Sequence, residues 1–132
     1  MIVIDNSVLV AALVGPDPLS SAIRQRLAVE QVVAPDLIDV EAASLLRGFV
    51  RSRRLTDQQA DRAVAALAAF PLERVPHARL LPGIWSLRET LTAYDATYVA
   101  LAVSLGATLV TGDRRLAKGA GARCVVEVID GQ

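Results

Sequence analysis

The chain has 132 residues, and its 14 basic side chains balance 14 acidic ones. Net charge therefore announces no polyanionic partner, and any such surface must come from local clustering. Hydrophobic residues make up 53% and aromatics only 4%, which predicts one domain over 1–132 with a core of Ala, Val, Leu and Ile. A single cysteine, Cys124, excludes an internal disulfide and a multi-cysteine zinc site, and fits a reducing compartment.

Residues 2–4 are a short apolar run ending in Asp5-Asn6-Ser7, a pattern that predicts a buried strand followed by helix-capping residues. Helices are expected over 8–14, stopped by Gly15-Pro16, and over 18–30. A brief strand at 32–34 leads into a long helix over 36–54. Thr56 and Gln59 have the spacing of a capping box and open an Ala-rich helix to residue 70. A strand at 72–75 follows, then a helix over 78–89 interrupted by Pro82-Gly83. Thr92 caps a helix to 105, stopped by Gly106. A strand at 108–111, a short helix at 114–118 and a last strand at 124–129 complete the chain. Strands alternating with helices, apolar throughout, predict an α/β fold with a parallel sheet covered on both faces. The first residues carry no basic region and no long apolar stretch, unlike a signal peptide. The longest uncharged run, 96–112, contains Thr, Ser, Tyr and two glycines and reads as helix, stop and strand. No membrane partner is expected, and the chain is expected to be cytoplasmic.

Four acids sit in apolar surroundings. Asp5 and Asp113 stand at the carboxyl ends of predicted strands, where open parallel sheets bind ligands; each also suits the N-cap of the helix after it. Glu41 shares a helix face with Ile38, Leu45 and Phe49. A charge on that stripe needs a partner, and one of the thirteen arginines would serve. Asp95 shares a face with Leu91, Tyr98 and Ala102, while Thr92-Ala93-Tyr94-Asp95 also resembles a capping box. Two strand-end acids and two acids near helix starts could converge on one sheet edge. Carboxylates about 4 Å apart repel by roughly 4 kcal/mol per pair at a protein-surface dielectric, so such a cluster takes up protons or holds a cation. Oxygen ligands without His or Cys suit Mg²⁺ or Mn²⁺, and phosphate esters are the usual substrates of such sites.

The segments Ile4-Asp5-Asn6-Ser7-Val8-Leu9, the Glu41 helix, Leu91-Thr92-Ala93-Tyr94-Asp95-Ala96 and Thr111-Gly112-Asp113-Arg114-Arg115-Leu116 resemble, in this order, the motifs of PIN-domain nucleases. The length and the Thr-Ala-Tyr-Asp-Ala and Thr-x-Asp-x-x-Leu segments resemble the VapC toxins of bacterial toxin–antitoxin pairs. The resemblance covers nearly the whole chain. It implies a PIN-like three-layer fold with a five-stranded parallel sheet, and a metal-dependent endoribonuclease using Mg²⁺ or Mn²⁺. Asp5, Glu41, Asp95 and Asp113 would be its metal-binding, catalytic acids, supported by Ser7. It also implies a homodimer and a cognate antitoxin that occupies the active-site groove. Some relatives carry a further acid where this chain has Arg115, which bears on whether a second metal binds. Two other readings of the same motifs stand beside this one: a non-catalytic PIN-like interaction module, and an RNA-processing nuclease without an antitoxin. A receiver-like phosphoacceptor domain would carry a lysine near its last strands, and the one lysine, Lys118, lies in the helix after Asp113.

Arg114, Arg115 and Lys118 directly follow Asp113 and are the candidates for holding an RNA backbone. Arg47, Arg51 and Arg54 form a second basic stripe, read as a solvated helix face. His77 is assigned no role. Cys124 is read as a small core residue opening the last strand, and Gly119-Ala120-Gly121 as a turn. Trp85, among Leu80, Leu81, Ile84 and Leu87, is open to core, dimer or antitoxin contact.

Overall fold

Three consecutive β-branched residues form β1 (Ile2–Ile4), buried at every position, in a computed structural model that describes residues 1–129. The last three residues of the expected 1–132 domain lie outside that description. The other strands are β2 (Val32–Pro35), β3 (Glu73–Val75), β4 (Thr108–Thr111) and β5 (Val126–Val128). They join in one sheet of order β3-β2-β1-β4-β5, parallel at every pairing. Ile2 registers with Val32 on one side and Thr108 on the other, and Ile4 with Val110. The chain leaves β1 toward β2 and β3, then returns to add β4 and β5 on the opposite side. The order reverses between β1 and β4, and a crevice at such a point is where an open parallel sheet binds its ligand.

Seven helices cover the sheet, giving the expected three-layer α/β architecture. α1 (Asn6–Val14), α2 (Leu19–Ala28), α3 (Leu37–Arg51) and α4 (Asp57–Ala69) form one layer, with α1 packed on the other three. α5 (Leu81–Ser86), α6 (Ala93–Leu105) and α7 (Arg114–Ala120) form the other, in which α6 crosses β1, β2 and β4. Residues 96–102 of α6 are all buried, as a helix apolar on every side should be. No helix among the described residues is long and apolar enough to cross a membrane.

Several boundaries differ from the sequence expectation. The helix expected over 36–54 ends at Arg51, because Arg53 takes a left-handed conformation (φ 63°) and the N–H groups of Arg54 and Leu55 both turn back to the Phe49 carbonyl. Arg54 thus leaves the stripe begun by Arg47 and Arg51 and stacks its guanidinium over Phe49. The helix expected over 78–89 divides into a 3-10 turn, Ala78–Leu80, and α5, with Pro82 in the first turn of α5. That position leaves the proline without a hydrogen bond to break. Gly119 and Ala120 belong to α7, not to a turn; Gly121, at φ 60°, ends the helix. Cys124 precedes β5 instead of opening it, although it does pack half-buried against the core. The capping box at Thr56 and Gln59 is formed in both directions.

Candidate active site

Neighbouring strands deliver the first pair of acids. Asp5 follows β1 directly and Asp113 follows β4 after one glycine. Each does cap the next helix: Asp5 Oδ1 accepts the Val8 N–H at 3.2 Å, and Asp113 Oδ1 accepts those of Arg115 and Leu116 at 2.9 and 3.2 Å. Capping uses one oxygen of each carboxylate and does not compete with a site role for the other. Two hydroxyls bind the pair together. Ser7 Oγ donates to Asp5 Oδ1 at 2.5 Å and accepts the Gly112 N–H at 3.0 Å. Thr111 Oγ1 donates to Asp5 Oδ2 through a short bond and accepts the Asp113 N–H at 2.9 Å. A Cβ at Gly112 would lie 3.2 Å from the Ser7 oxygen, a tight contact with the group that links the two acids.

Helices supply the second pair. Glu41, in the first turns of α3, sits at the margin of a stripe whose buried residues are Ile38, Ala42 and Leu46. Among the described residues it forms no ion pair with an arginine. Its partner is Tyr98, whose phenol donates to Oε1 at 2.5 Å from α6. Asp95 lies in the first turn of α6, and its backbone N–H is capped by Thr92 Oγ1 at 3.2 Å. The reciprocal half of a capping box is not made there. The Asp95 carboxylate turns instead to Arg115, whose Nη2 lies 3.1 Å from Asp95 Oδ2 and 3.2 Å from Asp113 Oδ2.

Asp5 and Glu41 both feel the charge of neighbouring acids. Burial pushes the Asp5 carboxyl above its ordinary range and the charge of Asp113 adds to the rise, while the bonds from Ser7, Thr111 and Val8 pull it back. Burial likewise raises Glu41, with Asp95 and Asp5 adding repulsion and the Tyr98 phenol opposing them. Burial first, and then the bond to Glu41, raise Tyr98, so its phenol stays protonated and can only donate to the carboxylate. Beside Glu41 an open cavity of about 430 Å³ is bounded by Asn6, Val40, Ser44 and Tyr94. Of the four acids, Glu41 is the one that lines it.

Residues 2–122 match the PIN domain sequence family. The chain belongs to that family. Ribonuclease VapC9 of Mycobacterium tuberculosis is 39% identical to this PIN domain over 129 residues, which cover 98% of each protein. Ribonuclease VapC1 of the same species is 38% identical over 128 residues, 96% of each. The fold is that of M. tuberculosis VapC20, described as a Sarcin-Ricin loop cleaving toxin, with TM-score 0.68 and 19% identity over 89% of this chain and 94% of that one. It is also that of VapBC2 from Rickettsia felis, solved bound to a DNA fragment from their promoter, with TM-score 0.72 and 17% identity over 98% and 100% of the two chains.

All four acids expected from the sequence stand at the carboxyl edge of this PIN domain, and Ser7 stands with them. Their donor chemistry fits a hard divalent cation: carboxylate oxygens, two of them on acids whose ionisation is resisted by burial and by their neighbours. As the side chains stand, no three acids among the described residues are arranged to hold an ion, and a guanidinium holds two of the four. Sequence reading passed over two residues of the site. Tyr98 enters the sequence reading only as a face-mate of Asp95, and Thr111 only as a strand residue opening the Thr-x-Asp-x-x-Leu segment, with no role assigned. The visible signal for Thr111 was a hydroxyl two residues before Asp113, beside a strand end already marked by Asp5. Among the RNA-binding candidates, Arg114 and Lys118 lie exposed on α7 one turn apart, while Arg115 faces the acids.

Proposed function

We propose that this PIN domain is a metal-dependent endoribonuclease acting as the toxin of a toxin–antitoxin pair, with Asp5, Glu41, Asp95 and Asp113 as its metal-binding acids. The observation that carries the reading is the gathering of carboxylates at the reversal point of the sheet, where Thr111 links Asp5 to Asp113 and Arg115 links Asp113 to Asp95. The ribonuclease names of relatives matched over nearly their full length support the reaction class. A magnesium or manganese ion held there would supply an activated water and neutralise charge on the scissile phosphate. Ser7 and Thr111 fix the orientation of Asp5 from both oxygens, and Tyr98 fixes Glu41. The open cavity beside Glu41 would admit an RNA strand to that acid. Arg114 and Lys118, exposed on α7, are our candidates for contacting its phosphates.

The R. felis neighbour is the VapBC2 structure, and we extend a partner of the antitoxin kind to this chain. A groove of about 430 Å³ runs from Ser7, which is bonded to Asp5, past Val10, Val14 and Phe49 to Arg54. An antitoxin segment lying in it would reach the acid edge at Ser7. A homodimer is the other assembly we assign to it.

Replacement of Asp5 by Asn tests the reading, because Asn keeps an oxygen to cap α1 while removing the charge. The folded variant should lose Mn²⁺-dependent cleavage of total RNA by more than the roughly 10–100-fold typical of outer-sphere partners of a metal. Expression of the wild-type chain alone should arrest a bacterial host, and Asp5→Asn should release it. Equal cleavage by the two proteins would reject the acid assignment. Equal growth at matched expression, with cleavage lost, would leave a nuclease without a toxin role.

A further inference from the structure

The guanidinium of Arg115 makes contacts to which the proposed function gives no task. Its Nη2 alone touches one oxygen of Asp95, at 3.1 Å, and one of Asp113, at 3.2 Å. These acids come from α6 and from the loop between β4 and α7, so a single nitrogen joins two separate elements of the acid edge. A magnesium-sized ion would need its oxygens at about 2.1 Å. The arginine holds the same two oxygens about an ångström further out from their common centre, which is consistent with no three acids being drawn in as they stand. The side chain is 69% exposed, so its ion pairs are of the surface kind, worth little individually. A guanidinium on these two oxygens and a divalent cation bound beside them repel each other, so the arginine's charge opposes binding of the ion.

We infer that Arg115 is a built-in counter-cation of the acid edge, and that a divalent ion binds Asp95 and Asp113 in competition with its charge. The inference rests on the reading that the acids hold a metal, and it adds that this chain sets its metal affinity through a residue that is not a ligand. Arg115 keeps Asp95 and Asp113 neutralised and apart while no ion is bound. The ion binds against that charge. Nη2 is the atom given over to the carboxylates and the side chain is 69% exposed, so this role stands beside any phosphate contact Arg115 makes.

Calorimetric titration of the RNA-free protein with Mn²⁺ alone tests this without reference to turnover. Arg115→Ala should bind Mn²⁺ roughly three- to tenfold more tightly than wild type, the equivalent of one or two surface ion pairs. Arg115→Lys, which keeps the charge but loses the fork, should fall between them. Thermal melts should show the Ala variant less stable than wild type without metal, and raised further by Mn²⁺. Equal or weaker Mn²⁺ binding by a folded Arg115→Ala protein overturns the inference and leaves the metal site standing. Failure of wild type and both variants to bind Mn²⁺ overturns it together with the metal reading.

Discussion

Tyr98 carries a buried ring and a phenol that reaches α3, where it is the hydrogen-bond partner of Glu41. Burial raises Glu41 first, the neighbouring acids raise it further, and the phenol alone lowers it. A carboxyl whose folded pKa lies above its unfolded one binds more protons when folded, so its contribution to stability is lost as pH rises through the folded pKa. Tyr98→Phe keeps the packing and deletes the opposing bond. Glu41 then moves higher, and the acid limb of the RNA-cleavage profile should shift to higher pH. Urea denaturation should show a cost of roughly 1–2 kcal/mol at neutral pH, shrinking toward acid pH as Glu41 takes up a proton. A cost independent of pH would mean that the phenol does not act through Glu41. Asp5 and Asp113 were legible in the sequence because a strand end followed by a helix start is a local pattern. The bond between Glu41 and Tyr98 was not, because its partners are 57 residues apart and a tyrosine on an apolar stripe looks like any core residue.

Helix ends were the least legible elements, and α7 shows why. Gly119 and Gly121 flank an alanine in a segment that local propensity assigns to a turn, yet only Gly121 has the positive φ of a stop. Gly119 is helical, and is glycine because a Cβ there would come 2.3 Å from Leu91 Cδ2. An alanine for glycine in a helix normally stabilises by up to about 1 kcal/mol. Here overpacking against the buried Leu91 reverses the sign, and Gly119→Ala should destabilise by roughly 1–3 kcal/mol. A thermal melt decides, and a rise in Tm would show that α7 and Leu91 have room to separate. The end of α3 is a similar case. Arg53 takes a left-handed conformation with no glycine or asparagine to announce it, so the basic stripe loses Arg54 for a reason no propensity scale carries. The capping box of α4 was legible because both of its partners lie within four residues.

For the molecule as a whole, the parallel sheet and its two helical layers were readable from alternation and apolar runs, and the strand order follows from the sheet reversing once. What composition left open is how the apolar surplus is hidden. Val40, Trp85 and Tyr94 are 65%, 68% and 62% exposed, and the Arg88 guanidinium lies over the Trp85 ring, 4.9 Å from its centre. Exposed apolar surface of this kind marks interfaces, and a two-fold self-association is the commonest for identical chains. Light scattering at micromolar concentration should return about twice the 14.0 kDa chain mass. A value near the single-chain mass would remove the homodimer from the proposal without touching the acid site.

The ties made by Ser7 and Thr111 have a consequence for how the gene can vary. Asp5 and Asp113 are located by counting from the ends of two adjacent strands, whose register is fixed at Ile4 and Val110, and not by counting along the chain between them. One residue added between Ile4 and Ser7, or between Val110 and Asp113, would break the hydroxyl links and turn a carboxylate to the other side of the sheet. Residues added in the exposed turn at 52–54 would leave every one of those links intact. The coding of the site is thus concentrated in short windows with no tolerance for length. Exposed turns between those windows, such as 52–54, are open to insertion or grafting, and that is where descendants of this chain can diverge most cheaply.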